Sequence, residues 1–219
     1  MPLPRIEPYD LPDARCLSFN RVDWRLEPAR AVLLVHDMQN YFLRAFGRDH
    51  PGGPAARNIG LLLVACRRAG VPVVYTVQPP REPASARGLL TEFWGPGLGH
   101  LPDDHRITGL LEPLPGETVI TKHRYSAFHG TDLSALLAVH GRDQLLVTGV
   151  YAHLGCLLTT ADAFALGLQA FFVADALADF DEQRHWQALR YVAESCGVLT
   201  VTEEVVGVAS RSERRREHR

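Results

Sequence analysis

Four hydrophobic runs of this chain end in residues that can hold a charge, a proton or an open backbone. AVLLVHDMQ gives out at Asp37, VPVVYTVQ at Gln78, ETVITK at Lys122, and DQLLVTGVYAHLGC at Gly155. A carboxylate where an apolar strand empties into a loop is partly desolvated, which raises its pKa and suits it to acid catalysis. Asp37 could equally cap a helix or accept from loop amides. Gln78 is a neutral donor and acceptor. Lys122 could hold an anion or a partner carboxylate, or stand on the surface. Gly155 could open a helix whose amides face an anion, or simply allow close packing. Four such ends converging on one rim would say more than any one of them.

Other chemistries lack their residues. No G-x-G-x-x-G follows the first run, and no G-x-x-x-x-G-K-[ST] occurs, so the dinucleotide and P-loop patterns are missing. No G-x-S-x-G elbow is present, which weakens a serine hydrolase reading. The histidines are scattered without H-E-x-x-H or D-x-H, so no metal site and no cofactor is expected. His36, His123 and His153 are read as hydrogen-bonded structural residues. Cys156 follows Gly155 directly and is expected to point away into packing. The four cysteines, Cys16, Cys66, Cys156 and Cys196, are far apart and are expected as free thiols in or near the core.

The elements that must position these residues follow from periodicity. Residues 31–38 read as a strand buried on both faces, as parallel strands are. Helical spacing over 55–69 ends at Gly70, a C-cap. Further strands are expected at 71–78, 117–122, 143–150, 169–176 and 197–202. Helices are expected at 86–93 (short), 132–140, 155–166 and 182–194. Strands alternating with helices make an α/β protein, a six-stranded parallel sheet with helices on both faces. In such a sheet, ligands sit at the carboxyl ends of the strands, near the switch in strand order. Residues 1–30, rich in proline and charge, are expected as an arm packed on the domain, 31–207 as the α/β domain, and 208–219 as a disordered basic tail.

Composition excludes several classes. With 23 basic and 25 acidic residues the net charge is −2, so no global field points to nucleic acid. No apolar run approaches the roughly 20 residues of a membrane helix, and MPLPRIEPYDLP has no signal-peptide core. A cytoplasmic location without nucleic-acid or membrane partners is expected.

The segments AVLLVHDMQNYFL, GLLTEFWGPGL, TKHRYSAFHGTDL, GRDQLLVTGVYAHLGC and FFVADALADF, in this order, resemble the isochorismatases and the aminodeoxyisochorismatases of phenazine pathways. The likeness runs from about Pro8 to Val205. The wider superfamily includes nicotinamidases and other hydrolases with an Asp–Lys–Cys triad. Asp37 and Lys122 match its first two members, and Gly155 stands at the cysteine position, as in isochorismatases. The resemblance implies a Rossmann-like three-layer fold in a homo-oligomer, a dimer, and a small anionic chorismate-derived substrate carrying an enolpyruvyl ether. It implies Asp37 as the acid that protonates the vinyl carbon, with Lys122 beside it and no nucleophile. It also implies Phe42 and Tyr151 as pocket walls, Gln78 and Tyr125 as hydrogen-bonding groups, and Arg87 and Trp94 as contributions of the loop after the second strand, Arg87 facing a carboxylate. Lys122 introduces a tension, because an ammonium lowers the pKa of the acid it neighbours. Because the sequence stops soon after the expected fold, no appended carrier-protein domain is expected. Two other readings compete: a cysteine amidohydrolase using Cys156, and a non-catalytic binding protein on this fold.

Overall fold

A computed structural model describes residues 3–47, 51–99 and 101–217, with no side-chain placement given for 215–217. In chain order the elements are β1 (Ala31–His36), α1 (Asn40–Leu43), α2 (Gly52–Ala69), β2 (Val73–Val77), α3 (Ala84–Arg87), α4 (Leu90–Trp94) and α5 (Pro102–His105). They continue with β3 (Thr118–Thr121), α6 (Leu133–Val139), β4 (Gln144–Val150), α7 (Leu157–Ala165), β5 (Gln169–Ala178), α8 (Glu182–Ser195), β6 (Val198–Thr200) and α9 (Thr202–Glu217).

The sheet has six strands in the order β3-β2-β1-β4-β5-β6, and every neighbouring pair is parallel. The chain therefore reverses its direction of growth between β1 and β4, the switch at which a crevice opens. All residues of the central strands β1 and β4 are buried, which accounts for their unbroken apolar sequence. Alternate side chains of β1 serve different cores. Ala31, Leu33 and Val35 pack with Ile59, Leu62 and Leu63 of α2, and Val32 and Leu34 pack with Leu133, Leu137, Leu189 and Val192 on the other face. One row of the sheet passes through Ile120, Thr76, His36 and Gly149, so the strand ends that follow lie at one height.

Glycines and prolines shift several boundaries from the periodicity reading. α2 begins at Gly52 because Pro54 fits a first helical turn, and it ends in the left-handed Gly70, φ 70°. The single short helix expected at 86–93 is two, since Gly88 at φ 60° and ψ −140° breaks it. A π-helical turn, Ala152–Cys156, precedes α7, so Gly155 lies inside that turn rather than opening the helix.

The expected disordered tail is helical as far as Glu217; residues 218 and 219 lie outside the described ones. Val205 and Ala209, one turn apart, are buried in the core that α2 builds, and Asp175 Oδ1 accepts from both Thr202 N and Thr202 Oγ1 at the start of the helix. Tertiary packing of that apolar stripe outweighs the charge of the segment. The arm is held along its length. Ile6 is fully buried beside Phe46, Tyr9 Oη accepts from Asp179 N at 2.7 Å, and the Asn20 side chain pairs with the Leu199 backbone. All four cysteines are free and buried.

If α9 is held by its apolar stripe, Val205→Asp should destabilise the protein by at least about 3 kcal/mol, roughly 6–12 °C in Tm. Arg211→Ser, on the exposed side of the same helix, should leave Tm nearly unchanged. Equal shifts in calorimetry would show that the helix is held by its charges instead.

Candidate active site

Asp37 is the first residue past β1 and adopts φ 51°, a left-handed conformation that aspartate tolerates better than most side chains. Its amide donates to both the carbonyl and the hydroxyl of Thr76 in β2, at 3.2 and 3.1 Å. The Thr76 hydroxyl donates in turn to Asp37 Oδ1 at 2.7 Å. Gln78 Nε2 donates to Oδ2 at 3.1 Å, and Lys122 Nζ, from the end of β3, reaches the same oxygen at 2.8 Å. Asp37 and Lys122 are 4% and 1% exposed, so this is an ion pair out of bulk water. Burial alone would raise the Asp37 pKa, but the charge and hydrogen bonds of Lys122, with the Thr76 hydroxyl, more than offset it and hold the carboxyl below its ordinary range. The carboxyl group is therefore ionised in the free protein at neutral pH.

A second layer of bonds fixes these groups. Gln39 Oε1 accepts from Gln78 N, while Gln39 Nε2 donates to the carbonyls of Gln78 and His105. Lys122 Nζ also donates to the Arg124 carbonyl at 3.0 Å. Arg87 is buried at the end of α3. Its Nε donates to the Gly95 carbonyl, and Nη1 lies 3.4 Å from Gln78 Oε1 and 3.6 Å from Glu82 Oε2. Glu82 thus partly neutralises the guanidinium expected to meet a substrate carboxylate.

These residues wall a narrow cavity of about 50 Å³ at the β1/β4 switch. His36, Asp37, Gln78, Arg87, Lys122 and Tyr125 supply its polar surface, and Leu3, Leu90, Trp94, Tyr151, Leu154 and Phe180 much of its apolar surface. Trp94 Nε1 donates to Tyr125 Oη at 2.5 Å, leaving the tyrosine its own O–H to donate. The Tyr151 ring stacks at 4.3 Å against Phe180, and its hydroxyl donates away from the cavity to the Phe42 carbonyl.

Of the residues singled out in the sequence, Asp37, Gln78, Arg87, Trp94, Lys122, Tyr125, Tyr151 and Gly155 line this cavity. Phe42 does not; it packs edge-on behind Tyr151, at 6.0 Å between ring centres, and supports the wall instead of forming it. The amides around Gly155 are not open to an anion as supposed: His153 N donates to Asp179 Oδ2, and Leu154 N and Cys156 N donate to the Tyr151 carbonyl. Cys156 is fully buried in the core cluster that includes Leu133, Leu137 and Leu189, is not part of the cavity lining, and burial raises its thiol above the ordinary value, all of which disfavour it as a nucleophile. His36, His123 and His153 make hydrogen-bonding contacts with Val150 O, Glu82 and Asp179.

Leu3, Thr76 and Phe180 escaped the sequence reading. Phe180 had a signal: β5 runs two residues longer than its periodicity suggested, and the strand-end rule then reaches Asp179 and Phe180. Leu3 had none, because an arm's landing point is set by distant contacts.

Residues 31–204 match the family model for the isochorismatase domain. The chain is 47% identical over 207 residues to the phenazine biosynthesis protein PhzD of Pseudomonas fluorescens, covering 93% of this chain and 98% of that one. It is 43% identical over 207 residues to enterobactin synthase component B of Escherichia coli (strain K12), covering 94% of this chain and 73% of that one. A solved cysteine hydrolase from Pseudomonas syringae pv. phaseolicola 1448A shares the fold, with a TM-score of 0.79, 23% identity, and coverage of 87% and 97% of the two chains. The chain belongs to the isochorismatase family and is an isochorismatase-type hydrolase.

Proposed function

We propose that the enzyme hydrolyses the enolpyruvyl ether of isochorismate or of 2-amino-2-deoxyisochorismate, with Asp37 as general acid. The observation that carries this reading is a buried carboxylate on the cavity wall with Lys122, Gln78 and Arg87 around it and a glycine where a nucleophile would stand. The names of the relatives, a phenazine biosynthesis protein and an enterobactin synthase component, support a chorismate-derived substrate.

The chemistry follows from the bond to be cut. A proton delivered to the terminal vinyl carbon makes a methyl group and leaves an oxocarbenium ion. Water adds to that ion, losing a proton, and the hemiketal collapses to pyruvate and a ring alcohol. The product ring is 2,3-dihydro-2,3-dihydroxybenzoate or 2,3-dihydro-3-hydroxyanthranilate. The slow event is proton transfer to carbon, so a positioned acid is the main requirement. Asp37 must therefore acquire a proton when substrate binds. Two substrate carboxylates beside Lys122 and Arg87 compete for the cations that hold Asp37 ionised, and closing the cavity removes water; both effects raise its pKa in the complex. Trp94, Tyr151 and Phe180 wall the ring and keep bulk water from the oxocarbenium until the reacting molecule is in place.

We infer further that the protein acts in the cytoplasm as a homodimer. Leu89 and Phe93, 74% and 66% exposed beside the site, support an apolar contact surface. No helix among the described residues is long and apolar enough to cross a membrane.

Asp37→Asn keeps the shape but cannot deliver a proton. It should slow pyruvate release from both ring substrates by roughly 10²- to 10⁴-fold, about 3–5 kcal/mol in barrier height, with a smaller effect on KM. Turnover near the parent rate by a folded Asp37→Asn protein would remove Asp37 from the mechanism.

The pH profile tests the electrostatic part. The kcat of the parent should fall as pH rises and the acid form of Asp37 in the complex is depleted. Lys122 stabilises the ionised carboxylate, so Lys122→Met should move that fall to higher pH even as it weakens binding. An unmoved break in kcat, with KM raised, would mean that Lys122 binds substrate without setting the acidity of Asp37.

Among the described residues no group of three or more His, Cys, Asp or Glu is disposed to hold a metal ion. Dialysis against a chelator should accordingly leave kcat/KM unchanged. Loss of activity restored by zinc or magnesium would contradict the acid-only route.

A further inference from the structure

The glycine that stands at the nucleophile position has a physical cause in this chain, and the cause is a histidine. His36 is the last residue of β1 and is 1% exposed. Its backbone lies against Gly149 of β4, where an added Cβ would come within 2.1 Å of His36 O. Its ring then extends across the end of the sheet toward the π-helical turn. Nδ1 lies 3.0 Å from the Val150 carbonyl and Nε2 lies 3.3 Å from the Tyr125 carbonyl. A neutral imidazole carries one N–H, so one of the two carbonyls accepts from it, and the ring sits between the end of β4 and the loop after β3.

A Cβ built on Gly155 would lie 2.2 Å from His36 Cε1, 2.8 Å from His36 Nε2 and 3.0 Å from the Tyr125 carbonyl. The first two are far inside van der Waals contact, and the atoms they meet belong to a buried ring held between two carbonyls. Yielding would require the ring to leave its place between those carbonyls or the backbone to move, and close-packed interiors resist both. Position 155 opens on the same cavity as Asp37 and Lys122. A cysteine side chain there would sit beside a buried ammonium, a setting that favours a reactive thiolate.

We propose that His36 is a specificity-determining positioning residue: its pinned ring fills the space through which a side chain at position 155 would enter the cavity, and so keeps a nucleophile out of the Asp37–Lys122 site. The site is thereby confined to protonation and water capture. The other groups facing the ring are consistent with a steric part. Asp37 Oδ2 is 3.8 Å from Nδ1, beyond a hydrogen bond, and burial pushes the imidazole down to about 4, so it stays neutral and does not compete with Lys122 for the carboxylate.

The test is a coupling between positions 36 and 155, read by unfolding and thiol labelling. Neither needs a substrate, so its failure is separate from failure of the vinyl-ether reading. Gly155→Ala in the parent should lower Tm by roughly 5 °C or more, and in a His36→Ala background by less than roughly 2 °C. His36→Val, which keeps a branched strand residue but lacks the ring atoms nearest position 155, replaces His36→Ala if that variant does not fold. In His36→Ala/Gly155→Cys the new thiol should take about one iodoacetamide per chain at neutral pH, located by peptide mass, while Gly155→Cys with His36 intact should be labelled far more slowly. Equal Tm losses in the two backgrounds, or equal labelling of the two cysteine variants, would overturn the proposal.

Discussion

The arrangement of the site depends on one ion pair, Asp37 with Lys122, buried where water cannot solvate either partner. A lone charge at that depth would be neutralised or expelled, so each requires the other, and the remaining lone pairs of the carboxylate require donors. The sheet meets this demand through its strand order. β3, β2 and β1 lie side by side, so one carboxylate at the end of β1 can be reached by a hydroxyl and an amide from β2 and an ammonium from β3. The left-handed turn at Asp37 aims the side chain back across the strand ends, and the bonds from its own amide to Thr76 hold that turn.

The same pair sets the chemical problem. Lys122 makes it affordable to bury Asp37, but it also keeps Asp37 ionised, the wrong state for an acid. In the mechanism we propose, a dianionic substrate offers the release, since its carboxylates attract the same cations and repel the same anion. Binding and acidity are one event in that proposal: the proton is acquired when the molecule to be protonated arrives. Arg87 faces Glu82 at 3.6 Å, which screens part of the field that the proposed mechanism asks of it.

Much of this was legible in the residue pattern. Continuous apolar runs announced strands buried on both faces, their alternation with helical periods announced a parallel sheet, and the residues at their ends named four positions of the cavity wall, Asp37, Gln78, Lys122 and Gly155; Arg87, Trp94, Tyr125 and Tyr151 came from the family resemblance. What escaped depends on lateral geometry that periodicity does not encode. The pattern for 86–93 continues through Gly88, and only a backbone angle open to glycine reveals two helices bent around Arg87. Phe42 has the right type and neighbourhood for a wall, yet the Tyr151 ring stands in front of it. The basic tail is polar by count, while the spacing of Val205 and Ala209, which decides its structure, is a short signal easily lost among arginines.

Glycines illustrate how far a residue's meaning depends on its partner across the fold. Gly70 ends a helix and can be read from local sequence alone. Gly149 and Gly155 cannot, since each is small because His36 is near: one makes room for its backbone, the other for its ring. The His36 ring in turn sits between two carbonyls, one at the end of β4 and one in the loop after β3, and donates to one of them. A glycine at position 155 is therefore more than the loss of a functional group. It is one half of a packing solution whose other half, a histidine beside the acid, takes up the space that a nucleophile would need.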